Sequence, residues 1–366
     1  MGSVGSVRDE YYLWEINSFM KKFVCFHLFN DFSGSPKVLR RVVRGMLEEG
    51  HEVVLVTSRG GILDCQQSTV NGQQSTVNSQ LKFRQYNYKF SENRIVTALR
   101  YAWVQMYTFF VALGYWFDRD VVFYINTILP VGPAVAGWLM RKRVVYHYHE
   151  NAMVKGRMYR ALAWVMQRVA TEIVCVSEYQ RSFLKRQKGV RVVPNALDEE
   201  FVARAVVDVE GAFERKCVLM LGSLKGYKGT KEFVELARRL EKYRFVLVLN
   251  DEQENIDRYF EENGLTVTEN VTVYDRQEDV VPFYREASVV LNLSNKEQFI
   301  ETFGLTALEA MAFGLPVIVP TVGGIAEMVE DGVNGWKIDV QELDVIAMRI
   351  EEMLSDREVY GRLCKG

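Results

Sequence analysis

Residues 23–58 read "FVCFHLFNDFSGSPKVLRRVVRGMLEEGHEVVLVTS". The opening run of aromatic and β-branched residues predicts a strand, and "NDFSGS" behind it carries turn chemistry. Ser35 is placed to cap a helix and Pro36 to occupy its first position; Val38, Leu39, Val42, Val43, Met46 and Leu47 then recur at helical spacing until Gly50 ends the helix. "HEVVLVTS" returns as a second strand. The same rhythm runs on through "DVVFYI", "RVVYHYH" and "EIVCVS", β-branched runs without polar alternation, as strands buried on both faces of a parallel sheet require. A doubly wound α/β domain is expected.

The chain has 366 residues, more than one hydrophobic core usually serves, and the rhythm restarts after a stretch of weak periodicity near 206–214. "CVLMLG", "RFVLVLN", "VTVY", "ASVVLNLS" and "LPVIVP" predict strands, with "TKEFVELARRL" an amphipathic helix between the first two. Two doubly wound domains are therefore expected, 1–205 and 206–366, facing each other across a cleft at their carboxyl strand ends, where such sheets bind ligands. The repeat "QQSTVNGQQSTVNS" (66–79) is too polar to order itself and reads as a flexible insert.

Net charge is only -2, yet residues 1–205 carry 27 Lys and Arg against 17 Asp and Glu, and residues 206–366 carry 18 against 30. The first half is thereby suited to an anionic surface. The basic residues come with no stacking aromatic motif, which argues against nucleic-acid binding, and no G-x-G-x-x-G follows the first strand, which argues against a dehydrogenase. Five scattered cysteines form no CxxC pair and no metal-ligand spacing with histidine. They predict buried thiols in a reducing compartment, and with acidic residues where a secretory signal would be basic, the cytoplasm is the expected location.

Residues 301–309, "ETFGLTALE", set two carboxylates eight positions apart around the start of a helix predicted over "LTALEAMAFG". The amides of Phe303, Gly304, Leu305 and Thr306 then lie at a helix N-terminus, where unpaired N–H groups and the dipole suit a phosphate. A wholly helical span would separate Glu301 from Glu309 by about 12 Å, comparable with the reach of a nucleotide sugar from its sugar to its ribose. The pair reads equally as a dipole-favoured acid followed by a solvated helical residue. Glu309 tips the balance, because its apolar surroundings demand a partner for a carboxylate. Upstream, "LGSLKGYKGTKEF" supplies a glycine-rich turn at Gly222 and Ser223, with Lys225 and Lys228 either neutralising a departing diphosphate or simply solvated. In "YHYHENA", His149 ends a strand and is either catalytic or structural.

Taken together these segments resemble retaining glycosyltransferase family 4, whose members have the GT-B fold of two facing Rossmann-like domains. "FSGSPKVLRRVVRGMLEEGHEVVLVTS", "YHYHE", "IVCVSEYQRSFL", "VVPNALDEEF", "LGSLKGYKG", "ETFGLTALEAMAFGLPVIV" and "TVGGIAEMVEDGVNGW" follow in the family's order over most of the chain. The resemblance implies an acceptor-binding first domain and a nucleotide-sugar-binding second one. It assigns catalytic roles to His149, Glu301 and Lys228. Donor contacts would come from Gly34, Gly222, Ser223, Lys225, Lys228, Thr302, Phe303, Gly304, Leu305, Thr306 and Glu309. Within that set Glu301 and His149 would meet the donor sugar, Glu309 the ribose, Lys228 the diphosphate. Transfer would proceed with retention, without metal or other cofactor, from a UDP-, GDP- or ADP-sugar to a glycan or lipid-linked acceptor.

Three departures stand out. Ser223 precedes Lys228 by five residues where the family has Arg six before it, Ser33-Gly34-Ser35 replaces a glycine pair, and the chain ends at "REVYGRLCKG", where the family commonly adds a helix crossing back to the first domain. The short end would weaken domain closure, and with Ser223 it keeps open a nucleotide-sugar-binding protein without turnover; an epimerase on the same fold is a further alternative. Finally "ALRYAWVQMYTFFVALGYWF" (98–117) is apolar nearly all round but interrupted by Arg100 and Gln105. It predicts a helix packed on the first domain with one face turned to lipid, in preference to a wholly buried helix or a true span; with "KVLRRVVR" and "LMRKRVV", unless these are simply a solvated basic face, it suggests peripheral docking on an anionic cytoplasmic membrane.

Overall fold

The structure, a computed structural model, describes residues 21–64, 80–91, 93–153 and 155–366. The chain divides into two compact units between Asn195 and Ala196. The first holds a seven-stranded sheet in the order β3-β2-β1-β4-β5-β6-β7, all parallel. Its strands are β1 (Lys22–Phe26), β2 (Glu52–Ser58), β3 (Leu81–Tyr86), β4 (Val121–Asn126), β5 (Arg143–Tyr148), β6 (Glu172–Cys175) and β7 (Val190–Val192). In β4 every residue is buried, as a strand covered on both faces requires.

The second unit repeats the plan with six parallel strands, β10-β9-β8-β11-β12-β13. These are β8 (Cys217–Gly222), β9 (Arg244–Leu249), β10 (Val271–Tyr274), β11 (Val289–Leu291), β12 (Val317–Val319) and β13 (Gly335–Lys337). Each unit has its own apolar core. In both sheets the strand order reverses beside the first strand, between β1 and β4 and between β8 and β11, so that each unit has a crevice at its carboxyl strand ends.

Four details depart from the sequence reading. The first helix runs Gly34–Glu48, so its cap is Ser33 rather than Ser35; the Ser33 hydroxyl turns back to Asp31 Oδ1 at 2.5 Å instead of capping. Pro36 consequently sits deeper in the first turn, where a missing N–H still costs nothing. Strand β3 was invisible to periodicity because "LKFRQY" is a half-exposed edge strand with too few apolar residues. The expected boundary at 205/206 falls too late, since the helix Glu199–Arg204 sends Phe201 edge-on against Tyr284 and Phe313 of the second core, at 6.0 and 5.7 Å. The QQSTVN repeat at 66–79 lies outside the described residues.

The aromatic segment forms the helix Arg94–Leu113, capped by the Asn93 side chain on the amides of Ile95 and Val96. Only Val104, Thr108, Val111 and Ala112 of it are buried; Ile95, Leu99, Trp103, Met106 and Phe110, spaced by three and four, are at least half exposed. Among the described residues no helix is long and apolar enough to cross a membrane. Cys25, Cys175 and Cys217 are buried within strands, as read from the sequence.

Candidate functional site

In the second unit, β8 ends at Gly222 and leads through Ser223 and the exposed Lys225 into a single 3-10 turn, Gly226–Lys228. Gly229 follows in the left-handed region (φ 81°), and the helix Thr230–Arg239 begins behind it. A β-carbon on Gly229 would fall 2.5 Å from the Leu293 carbonyl oxygen, so only glycine lets this loop lie against the end of β11. That approach carries Lys228 to Glu301: the two, 73 residues apart in sequence, form an ion pair with side chains only 20% and 13% exposed. Ser294 Oγ donates to the same carboxylate oxygen at 2.8 Å, and the Gly324 amide donates to the Glu301 carbonyl at 2.8 Å. Burial pushes the Glu301 carboxyl up, but the charge of Lys228 and hydrogen bonds from Lys228, Ser294 and Asn292 outweigh it and hold the group below its ordinary range.

Beyond Glu301 the chain is not helical. Thr302 and Phe303 continue the loop, Phe303 buried, and the helix runs Leu305–Ala312. The 12 Å helical span therefore does not apply between Glu301 and Glu309. Gly304 caps the helix with φ 93°, and a β-carbon there would strike the Ile325 side chain at 2.5 Å. No side chain caps this helix start. The first-turn amides of Leu305 and Thr306, with no acceptor inside a helix, lie one loop away from the Lys228–Glu301 pair.

Glu309 is half-buried, as its apolar neighbours foretold, but the protein itself supplies the partner: Tyr284 Oη donates to Glu309 Oε2 at 2.6 Å. Tyr284 is fully buried and stacked on Phe313 at 5.5 Å. Burial first, and then the Glu309 charge, push the Tyr284 phenol well above its ordinary range, so it donates and does not ionise. The argument from burial to a bound ligand thus loses its force. Glu309 remains one helical turn behind the uncapped helix start.

Of the two site residues predicted in the first unit, His149 is joined to Ser35, the neighbour of Gly34, through a residue the sequence reading missed. Asn126 ends β4 at the point where the strand order reverses, and its side chain touches His149, the Ser35 carbonyl and His27. A polar residue closing the apolar and aromatic run "VVFYI" was the available signal. Glu150, beside His149, turns its carboxylate to the Ile128 amide at 3.1 Å, a structural use.

Known proteins bear on both units. The family model described as "Glycosyl transferases group 1" matches residues 208–365, and the one described as "Glycosyltransferase Family 4" matches residues 32–201. The chain is similar to a D-inositol 3-phosphate glycosyltransferase of Paenarthrobacter aurescens (strain TC1), 32% identical over 160 residues, covering 40% of this chain and 38% of the relative. It is also similar to an N-acetyl-alpha-D-glucosaminyl L-malate synthase of Bacillus anthracis, 25% identical over 187 residues, covering 49% and 48%. These matches span less than half the length of either relative. Among solved structures, HepE of Anabaena in complex with UDP and glucose superposes with a TM-score of 0.73 at 17% identity, over 94% of this chain and 92% of that one.

Proposed function

Because the chain belongs to the GT-B glycosyltransferases of the family 4 type, we propose that it transfers a sugar, with retention, from a nucleoside-diphosphate donor to an acceptor hydroxyl. The observation that carries this reading is the shielded Lys228–Glu301 pair beside an uncapped helix start in the second unit. A cation and unpaired amides there suit a diphosphate, and Glu301, kept ionised, suits the hydroxyls of the sugar attached to it. Lys228 and the helix start stabilise the leaving diphosphate without a metal. In this reading the leaving phosphate oxygen takes the acceptor's proton on the face it departs from, so the two carboxylates do not flank one bond as a glycosidase pair does. Ser223, in place of an arginine, leaves Lys225 to supply the second cation.

The direct test is a thermal-shift screen of UDP-, GDP- and ADP-sugars, then a transfer assay with the best binder in the presence of EDTA. UDP-sugars are the first probe, since HepE was solved with UDP and glucose. Stabilisation by one base and metal-independent formation of a glycosylated acceptor are expected. An epimerised nucleotide sugar, or binding with no turnover, would replace transfer by one of the alternatives. Glu309→Ala is expected to weaken UDP binding by about tenfold in calorimetry, the loss of about one charge-assisted hydrogen bond to the ribose. Unchanged affinity would remove Glu309 from the ribose.

The acceptor, in the same reading, is lipid-linked and met at the cytoplasmic face of an anionic membrane. Support comes from the exposed stripe Ile95, Leu99, Trp103, Met106 and Phe110, with Trp138 and Trp164 on the helices Val131–Leu139 and Arg157–Val169. These three helices carry Arg94, Arg100, Arg157, Arg160 and Arg168 and no carboxylate. Exposed tryptophans among arginines suit a headgroup layer. Co-sedimentation with phosphatidylglycerol vesicles at low salt, weakened by added salt and by Trp103→Ser with Phe110→Ser, is expected. Wild-type protein left in the supernatant would end the membrane reading.

A further inference from the structure

The first unit holds a buried polar assembly at its carboxyl strand ends that donor binding alone does not call for. Asn126 is completely buried, and all of its side-chain polarity is spent on three elements. Its Nδ2 lies 3.1 Å from the Ser35 carbonyl oxygen and 3.1 Å from His27 Nδ1, while its Oδ1 lies 2.9 Å from His149 Nε2. A carbonyl oxygen can only accept, so the atom facing Ser35 must be the amide nitrogen. The oxygen is thereby committed to His149, and an oxygen acceptor there requires a proton on Nε2. A neutral imidazole with its proton on Nε2 presents Nδ1 as an acceptor.

His149 is neutral: burial first, then the neighbouring His147 and His27, hold it well below its ordinary range. The groups around it are His147 on β5, its ring tilted against that of His149 with centroids 4.1 Å apart; Tyr124 on β4, bonded to His147 Nδ1 at 2.5 Å; His27 behind β1; and Asp31, which acts on His27. Burial pushes His27 down to about 4 and His147 to about 3, so neither contributes a cation near neutral pH. The backbone at the same place is strained. Thr127, next to Asn126, is β-branched and yet sits at φ 70°, a conformation unfavourable for such a residue and one that gathers at functional sites.

We propose that Asn126 is a positioning residue: it fixes the His149 imidazole as its Nε2–H tautomer, the form whose Nδ1 accepts a hydrogen bond, as a sugar hydroxyl bound at the carboxyl strand ends of this unit would offer. The same side chain ties the ring to the first turn of the helix Gly34–Glu48 through the Ser35 carbonyl, so one amide sets two site elements in register. The sugar contact rests on the proposed function; the tautomer does not.

The chain has only four histidines, which makes the imidazole nitrogens assignable in a 15N-histidine-labelled sample of the full chain, with His149→Gln identifying the signals of His149. In the wild type, His149 is expected to show a protonated Nε2 and an unprotonated Nδ1; in Asn126→Ala the two tautomers mix. Asn126→Asp keeps an acceptor on Nε2–H and adds a negative charge, which raises the basicity of the ring. A raised value means protonation sooner as pH falls, and a protonated ring has no acceptor. The kcat/KM profile of Asn126→Asp is therefore expected to gain an acid limb at higher pH than any in the wild type, on a level already lowered by loss of the bond from the amide to the Ser35 carbonyl. Asn126→Ala should lose about tenfold in kcat/KM at every pH. A wild-type His149 protonated on Nδ1, or a tautomer unchanged in Asn126→Ala, would overturn the positioning role without any activity assay. Kinetics indifferent to His149→Gln would overturn the sugar contact through the reading it rests on, while the wild-type spectrum still judges the tautomer.

Discussion

Glu301→Gln is expected to lower the turnover of sugar transfer by about 10²- to 10³-fold while weakening donor binding far less. Gln has the shape of Glu and can still accept from Ser294, and the Gly324 bond uses the Glu301 carbonyl, which the change leaves in place. What disappears is the charge facing Lys228. The sugar being transferred gains positive character as its bond to the diphosphate breaks, and a fixed carboxylate is worth most at that moment. Steady-state kinetics with donor varied would check the split. A variant with wild-type kcat would remove Glu301 from the reacting sugar. The pH dependence of stability gives a second readout. The folded carboxyl titrates below its ordinary value of 4.5, so the unfolded chain takes up the proton first as pH falls. The stabilisation is complete above about 4.5 and is lost as pH falls through the lower folded value, whereas Glu301→Gln should have no such loss from this group.

The second large effect is expected for Lys228→Met, with UDP affinity reduced about 10- to 100-fold and uridine affinity unchanged. Lys228 is held over the Phe299 ring at 4.7 Å as well as by Glu301, so its ammonium is placed before any ligand arrives. A diphosphate would share that cation. Comparison of UDP with uridine isolates the phosphate contribution from the base and ribose. The variant also uncovers the opposing tendency in Glu301: without Lys228, burial pushes its carboxyl up, so turnover should fall as pH drops at a higher pH than in the wild type. Equal UDP affinity in variant and parent would shift the phosphate contact to Lys225, exposed in the same loop.

Much of this site could be read before any coordinates, and for a local reason. Lys228 and Glu301 each stand where a strand gives way to a loop and a helix, and that transition is written in neighbouring residues: β-branched runs, then Gly and Ser, then helical periodicity. The uncapped helix start at Gly304 follows from the same local grammar. Glu309 shows its limit. Periodicity foretold a carboxylate in apolar surroundings, and only packing revealed that Tyr284, 25 residues upstream, already engages it.

By itself, then, the sequence determined two parallel α/β units and where the inner strands of each run, though not the half-exposed edge strand β3 or the part Asn126 plays, because strand and helix periods and turn chemistry act over a few neighbouring residues. Tertiary structure alone decided which strand ends become neighbours. Placing β4 beside β1 brings Asn126 to His27 and Ser35, and placing β11 beside β8 brings Glu301 to Lys228; strand pairing across 70 or more residues leaves no trace in local periodicity. It also moved the boundary between the units to Asn195, since Phe201 buries its ring in the core it reaches rather than the one it follows in sequence.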